Sequence, residues 1–356
     1  MKRVVAVLAV IFGLVLATSM PVQAKNLKSG YFGFMTNDPT NSVTIFVAEI
    51  NELVGTFPTG GNGSGASLGS QGSVAVTEDG NYLLAVNAGS NNVSVLTVEQ
   101  NELEMTGSPV SSGGTHPISV AVHRKLAYVL NAGGVGSIAG FRLHEGGLTA
   151  IPGSIQPLGT PAPTSKPAQV LIDKTGHWIV VPHKGDNKFS VYHVDSDGVA
   201  GPPVLQGSVG LVPFGAMFDK HNNLLVSEAA SGAASSYHLN TVTGVLTPIS
   251  SSVVNGQLAA CWLVVTKRGD VYTTNTASND VSLYDDDHGA LTLVAGVATL
   301  TGPHPIDMAV AGDKTLYVLT TGNGMVDVFA IGHDGALTYT ISVGGATAHS
   351  TGMFAN

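Results

Sequence analysis

The sequence predicts an all-β fold: a seven-bladed β-propeller with four antiparallel strands per blade, its ring closed by the C-terminal strand joining the first blade. Three observations predict it. A short phrase recurs along the chain at a period of roughly 45–50 residues, which marks a propeller, solenoid or array. Each period holds four short runs of alternating residues rich in Val, Leu, Tyr and Thr. Turn-forming Gly, Asn and Asp separate those runs, and no long stretch reads as an amphipathic helix.

The phrase is clearest in Tyr82-Leu-Leu-Ala-Val-Asn87 and Lys125-Leu-Ala-Tyr-Val-Leu-Asn131. It returns in His177-Trp-Ile-Val-Val-Pro-His183, Asn223-Leu-Leu-Val-Ser-Glu228, Asp270-Val-Tyr-Thr-Thr-Asn275 and Thr315-Leu-Tyr-Val-Leu-Thr-Thr321. With Asn37 as the first, the closing residues are spaced 50, 44, 52, 45, 47 and 46 apart. Within a period the strands are A to D from the axis outward. In the second period they read Ser73–Thr77, Tyr82–Asn87, Val93–Val98 and Glu102–Gly107. The A–B turns (Glu78-Asp-Gly-Asn, Lys267-Arg-Gly-Asp) and C–D turns (Asp195-Ser-Asp-Gly, His333-Asp-Gly) carry residues that accept positive φ. The first period lacks a strand A. His349-Ser-Thr-Gly-Met-Phe-Ala-Asn356 is a strand A with nothing after it, so it is expected to complete the first blade and remove exposed edges. An eight-bladed or open arrangement is the alternative.

Residues 1–24 read as a signal peptide, with Lys2 and Arg3 ahead of the apolar run Val4 to Ala17 and a small-residue cleavage signal at Val22-Gln23-Ala24. Residues 25–356 then form a single propeller domain, located in the periplasm or secreted, without a membrane span after cleavage. Without Lys2 and Arg3 the formal charge is 13 bases against 24 acids, or −11. That balance disfavours nucleic acid. The lone Cys261 excludes an internal disulfide, and its setting in Ala259-Ala-Cys-Trp-Leu-Val-Val265 reads as a buried small hydrophobe. No metal or other cofactor is expected, and the protein is expected to be a monomer.

Strand parity puts the B–C loops and the blade-to-blade D–A loops on one face of the disc. Binding groups concentrate on such loops when a rigid scaffold holds them. The candidate ligand-binding residues there are Asn87, Asn131, Lys166, Lys184, Asn275, His304 and His349, with Glu228, His183 and His116 as catalytic candidates. Glu228 interrupts an Asn-rich series, and a carboxylate beside the channel suits a general base; the other reading is an ion pair with a neighbouring blade. His116, His304 and His349 precede different inner strands. They either ring the channel mouth or, as His-Pro phrases, shape the blade-to-blade turn. Lys166, His183, Lys184 and Lys188 make a cationic cluster suited to an anion. Gly60-Gly-Asn-Gly-Ser-Gly lacks a following helix and reads as a flexible D–A connection rather than a phosphate loop.

The blade phrases, the His-Pro-Ile openings and the Asp-Gly turns resemble the seven-bladed β-propeller lactonase family over residues 30–356. That family includes 6-phosphogluconolactonases and carboxymuconate lactonising enzymes. Val212-Pro-Phe-Gly, Leu225-Val-Ser-Glu-Ala, Gln257-Leu-Ala-Ala-Cys-Trp and Tyr272-Thr-Thr-Asn-Thr are similar to an exported bacterial branch. The resemblance implies a catalytic His where Ala168 stands, an Arg where Pro213-Phe-Gly stands, a Glu at Glu228, and an Arg after Asn275, where Thr276 stands. Glu228 alone matches. Beyond Arg3 the arginines are Arg124 and Arg268, in A–B turns, and Arg142, leading into a C–D turn, all three on the opposite face. Phosphorylated or polycarboxylate substrates are usually gripped by bidentate Arg, so the loop face does not suit them. Two functions remain: binding of a small-molecule ligand or protein partner on the loop face, or hydrolysis of an uncharged or weakly acidic lactone. In the second, Glu228 is the base, His183 or His116 assists, and Asn87, Asn131 and Asn275 donate to the oxyanion.

Overall fold

Alternating apolar runs joined by Gly- and Asx-bearing turns fold here into seven antiparallel sheets around an axis. The computed structural model describes Leu27 and residues 30–356 other than Asn101 and Gly146. The expected leader lies outside the described residues.

Blade 1 takes its inner strand from the C-terminus: Thr351–Ala355 pairs antiparallel with Tyr31–Met35, followed by Ser42–Val47 and Glu52–Pro58. Blades 2 to 7 each run inner to outer in chain order. In blade 2 the strands are Val74–Val76, Tyr82–Asn87, Asn92–Val98 and Leu103–Met105, within two residues of the expected bounds. The ring therefore closes as expected. Val110–Ser111 and Gln156–Pro157 add short outer pairings to blades 2 and 3.

Register corrects two closing positions. Pro213 pairs with Glu228 and Pro305 with Thr320, so Thr320, not Thr321, ends its strand B. In blade 1 the strand ends at Met35, and Asn37 lies beyond it at φ 52°. A longer connection there displaces the phrase.

Packing between blades supplies the core, because each sheet buries both faces of its inner strands. Strand B is fully buried in every blade apart from its leading residue in some. Tyrosines of strand B also tie neighbouring blades. Tyr31 Oη donates to Gly80 O at 2.8 Å, Tyr128 Oη to Gly198 O at 2.7 Å, and Tyr272 Oη to Gly335 O at 2.7 Å. Each acceptor is a positive-φ turn glycine of the next blade. Burial pushes the Tyr128 phenol up to about 12, so it stays a donor across the physiological range.

The Gly-rich stretch departs from the flexible loop expected of it. Gly63 N–H donates to Asp38 O at 2.9 Å, and Asn62 N–H donates to Ser90 Oγ at 2.8 Å. A Cβ on Gly63 would lie 2.3 Å from the Asn37 carbonyl. Glycine is used here for close backbone approach between blades 1 and 2.

The segment that follows crosses the axis. Gln71 donates from Nε2 to Leu263 O at 2.8 Å and accepts from Leu263 N–H at 3.1 Å, joining blade 2 to blade 6. Trp262 Nε1–H donates to Ser70 O at 3.0 Å, and Gln71 N–H donates to Ala168 O at 3.1 Å. At this level the channel is plugged rather than open.

Candidate functional site

The residues that close strand B are all buried, and most share one bonding scheme. Asn87 Nδ2 donates to Asn92 Oδ1 at 2.7 Å and to Ser94 Oγ at 2.8 Å. Its Oδ1 accepts from Asn41 Nδ2 and Thr59 Oγ1. Asn275 repeats this with Asp280 at 2.6 Å and Ser282 at 2.8 Å, and accepts from Asn255. In blade 4, His183 Nε2 lies 2.9 Å from Ser190 Oγ and its Nδ1 3.2 Å from Asp186 Oδ1. In blade 5, Glu228 Oε1 accepts from Ser235 Oγ and Oε2 from Ser252 Oγ. In these four blades a Ser seven residues on, in strand C, meets the closing residue. Asn131 differs because Ile138 stands at that place. Its Nδ2 donates to Ser112 O at 3.0 Å and its Oδ1 is buried without a partner.

These residues therefore sit at equivalent places in separate blades, each bonded to partners within the protein. The N–H groups of Asn87 and Asn275 go to acceptors inside the protein. Glu228 is fully buried, and a Cβ on Gly210 would fall 1.6 Å from its carboxyl carbon, so the D–A loop lies directly over it. Burial lowers the pKa of His183 in spite of Asp186.

The histidines before the inner strands follow a backbone rule. His116 and His304 have φ of 54° and 57°, and the equivalent Lys166, Val212 and Ala259 are also left-handed. An Asn of the preceding blade caps three of them. Asn91 Oδ1 accepts from His116 N–H, Asn187 Oδ1 from Val212 N–H and Asn279 Oδ1 from His304 N–H, each at 2.7 Å and each 25 residues apart. The turn-shaping reading of His-Pro has this support. The His304 ring lies 2.9 Å from Thr321 Oγ1, and the His349 ring 3.1 Å from Asp38 Oδ1. These two rings thus face different local partners. The capping Asn sits four residues after the closing residue in blades 2, 4 and 6, a spacing that marks this turn in the sequence.

The cationic cluster divides. Asp186, absent from the sequence-based cluster, lies 3.2 Å from His183 and 3.3 Å from Lys188. Lys184 turns instead to the axis. Its ammonium stands 4.7 Å from the centre of the Phe214 ring and donates to Gly69 O. Burial, opposed by Cys261 and reinforced by Lys166, holds its pKa down to about 8. Phe214 packs on Trp262 with ring centres 4.7 Å apart, and Ala168, Cys261 and Ile306 belong to the same buried cluster. Cys261 is buried, which pushes its thiol up to about 11. The loop-face mouth is thus an apolar floor with one desolvated amine, Lys184, and the exposed Lys166 beside it.

On the opposite face the inner strands of blades 2 to 5 enclose about 690 Å³ below the plug, lined by Val76, Val122, Leu171 and Met217, with Glu78, His123 and Lys174 among the polar lining. Among the described residues no group of three or more His, Cys, Asp or Glu could hold a metal ion. No helix among them is long and apolar enough to cross a membrane.

Comparison with known proteins agrees with this architecture. Residues 136–265 match the family model described as "Lactonase, 7-bladed beta-propeller". No curated protein matches the sequence. Similar solved structures include the periplasmic gluconolactonase PpgL of Pseudomonas aeruginosa, at 16% identity and TM-score 0.68, covering 91% of this chain and 98% of that one. A functionally unknown protein of Desulfotomaculum acetoxidans aligns at 14% identity and TM-score 0.71, with 91% and 98% covered. AztD of Citrobacter koseri aligns at 11% identity and TM-score 0.59, with 92% and 97% covered. At these identities the structures testify to the fold alone. The resemblance to the seven-bladed lactonase family is borne out by the family match and the blade count.

Proposed function

We propose that this chain, a seven-bladed propeller of lactonase type, is an exported monomeric protein that binds a small, weakly acidic ligand at its loop-face mouth without hydrolysing it. The observation that carries this reading is the state of Glu228. Its two oxygens each accept a serine hydroxyl of the same blade, and the Gly210 backbone covers it. A general base must reach the water or proton it acts on, directly or through one water. Lys184 and Lys166 supply the positive charge for an acidic group, and the buried Phe214 and Trp262 rings form the apolar floor beneath them. Lys184 is a better anchor than a solvated lysine, because its ammonium has already lost water that a ligand carboxylate would otherwise displace. A protein partner on the same face is a further use of this surface.

The gluconolactonase among the similar structures favours a second reading, in which the chain hydrolyses an uncharged or weakly acidic lactone. Glu228 would then be the base, assisted by His183 or His116.

One experiment separates them. Purified protein is assayed on a panel of neutral and acidic lactones, with Glu228→Gln beside it, and its melting temperature is followed with the corresponding sugar acids. Binding without chemistry gives no saturable turnover and a ligand-dependent rise in melting temperature that Lys184→Met abolishes. Saturable turnover in the wild type that disappears in a folded Glu228→Gln protein would replace the binding reading with the hydrolytic one.

A further inference from the structure

The A–B turn of blade 3 is built from the two residues Arg124 and Lys125, since His123 pairs with Leu126 across it. Arg124 takes φ 54° as the first residue of this two-residue loop, a place where Gly is the usual choice. Leu126 also pairs with Arg142, so His123, Leu126 and Arg142 lie in one row across the sheet and share a face. That face looks across a cleft at blade 4. The cleft encloses about 380 Å³ and is closed on the far side by the Thr175-Gly176-His177 and Asp195–Gly198 turns.

The charges in this cleft are unspent. Arg268, in the corresponding turn of blade 6, is held by Asp270 at 2.9 Å and by Gly332 O at 2.9 Å. Arg124, Lys125 and Arg142 have no side-chain hydrogen bond or ion pair among the described residues. His123 uses Nδ1 on Glu78 at 3.0 Å, while its Nε2 is buried without a partner. Asp195, the acid in the cleft lining, accepts instead from the N–H groups of Asp197 and Val199. Two unpaired guanidinium forks in one small-molecule-sized cleft are unusual in a chain with 24 acids against 15 bases. Guanidinium forks match carboxylate and phosphate oxygens bidentately.

We propose that the cleft between blades 3 and 4, on the A–B-turn face, is a binding site for a small molecule bearing two or more carboxylate or phosphate groups, gripped by Arg124 and Arg142. Lys125 and His177 supply further donors at its edge. The site is separate from the loop-face mouth and does not rest on the function proposed for it.

Citrate and inorganic pyrophosphate are the probes, titrated calorimetrically into the purified protein at low ionic strength. The expected result is saturable binding at one site to at least one probe. Arg124→Ala and Arg142→Ala each weaken it about tenfold, in keeping with the loss of one charge-assisted pair, and the double variant abolishes it. Arg268→Ala leaves it unchanged. The paired Arg124→Lys, Arg142→Lys variant keeps the charge, removes the fork and binds with intermediate affinity. All the substituted arginines are surface residues, and circular dichroism verifies folding. No saturable binding of either probe overturns the proposal. So does binding that survives the double variant, or that falls equally with Arg268→Ala.

Discussion

The side-chain amide of Gln71 reads the backbone of Leu263 across the axis of the ring, donating at 2.8 Å and accepting at 3.1 Å. The two residues are 192 positions apart and lie on blades 2 and 6. Trp262, beside Leu263, donates to Ser70, beside Gln71. These bonds close the channel and hold the floor beneath Lys184 and Phe214. Gln71→Ala leaves a buried N–H and a buried carbonyl unpaired. It is expected to lower stability by about 2–4 kcal/mol, measured by denaturant unfolding. A change within error would mean that water or a neighbouring group replaces the amide.

Asp307 lies at the same centre. It is fully buried and accepts from Met308 N–H at 2.9 Å and Met353 N–H at 3.2 Å. Burial outweighs these bonds and raises its pKa to about 7. An unfolded Asp titrates near 3.9. Between about pH 4 and 7 the folded protein keeps a proton that the unfolded chain loses, so this group's contribution to stability declines as pH rises through that window. Asp307→Asn is expected to flatten the pH dependence of stability from 4 to 7, read from denaturant midpoints. An unchanged slope would assign it to other groups.

Lys184 is expected to titrate apart from the other lysines. Burial holds its pKa down to about 8, against roughly 10.4 for an unperturbed amine. The unfolded chain therefore binds more protons between those values, and the cost of this buried ammonium is relieved as pH rises above 8. In reductively ¹³C-methylated protein, one dimethyl-lysine resonance should titrate near pH 8 and vanish in Lys184→Arg. A spectrum with every lysine titrating above pH 10 would contradict the desolvated amine.

Tyr128→Phe removes the bond from strand B of blade 3 to Gly198 of blade 4 and keeps the ring. The expected loss is about 1 kcal/mol, with little change in the denaturant slope. The same variant should weaken pyrophosphate or citrate binding in the blade 3–4 cleft less than Arg142→Ala does. Tyr128 sets only the spacing of the cleft, whereas Arg142 lines it.

Much of the architecture was legible because a propeller is periodic. The alternation of strand B, the Asp-Gly turns and the stranded C-terminal segment each follow from local chemistry, and the repeat multiplies every signal. Two closing positions slipped by a residue or more, at Thr321 and Asn37, where pairing rather than spelling decides the register. The candidate site was less legible. Side chains at equivalent repeat positions share an environment, so Asn87, His183, Glu228 and Asn275 look like a ring of functional groups on paper. In the structure each turns into its own blade, toward a Ser seven residues on. His116 and His304 likewise look like ligands, yet their backbone N–H groups and left-handed φ tie them to the turn.

The sequence by itself determined the strand order, the turn chemistry, the ring closure and the face on which each loop emerges, because these depend on neighbours along the chain. Only the tertiary structure decided that the channel is plugged, that Asp186 attends His183 and Lys188, and that Lys184 lies over Phe214. It alone placed Arg124 and Arg142 in the lining of one cleft. The plug and the Lys184–Phe214 contact join different blades, and contacts made across such distances leave no period in the sequence to read; the placements of Asp186 and Arg142 lie within one blade but depend on side-chain direction and strand register.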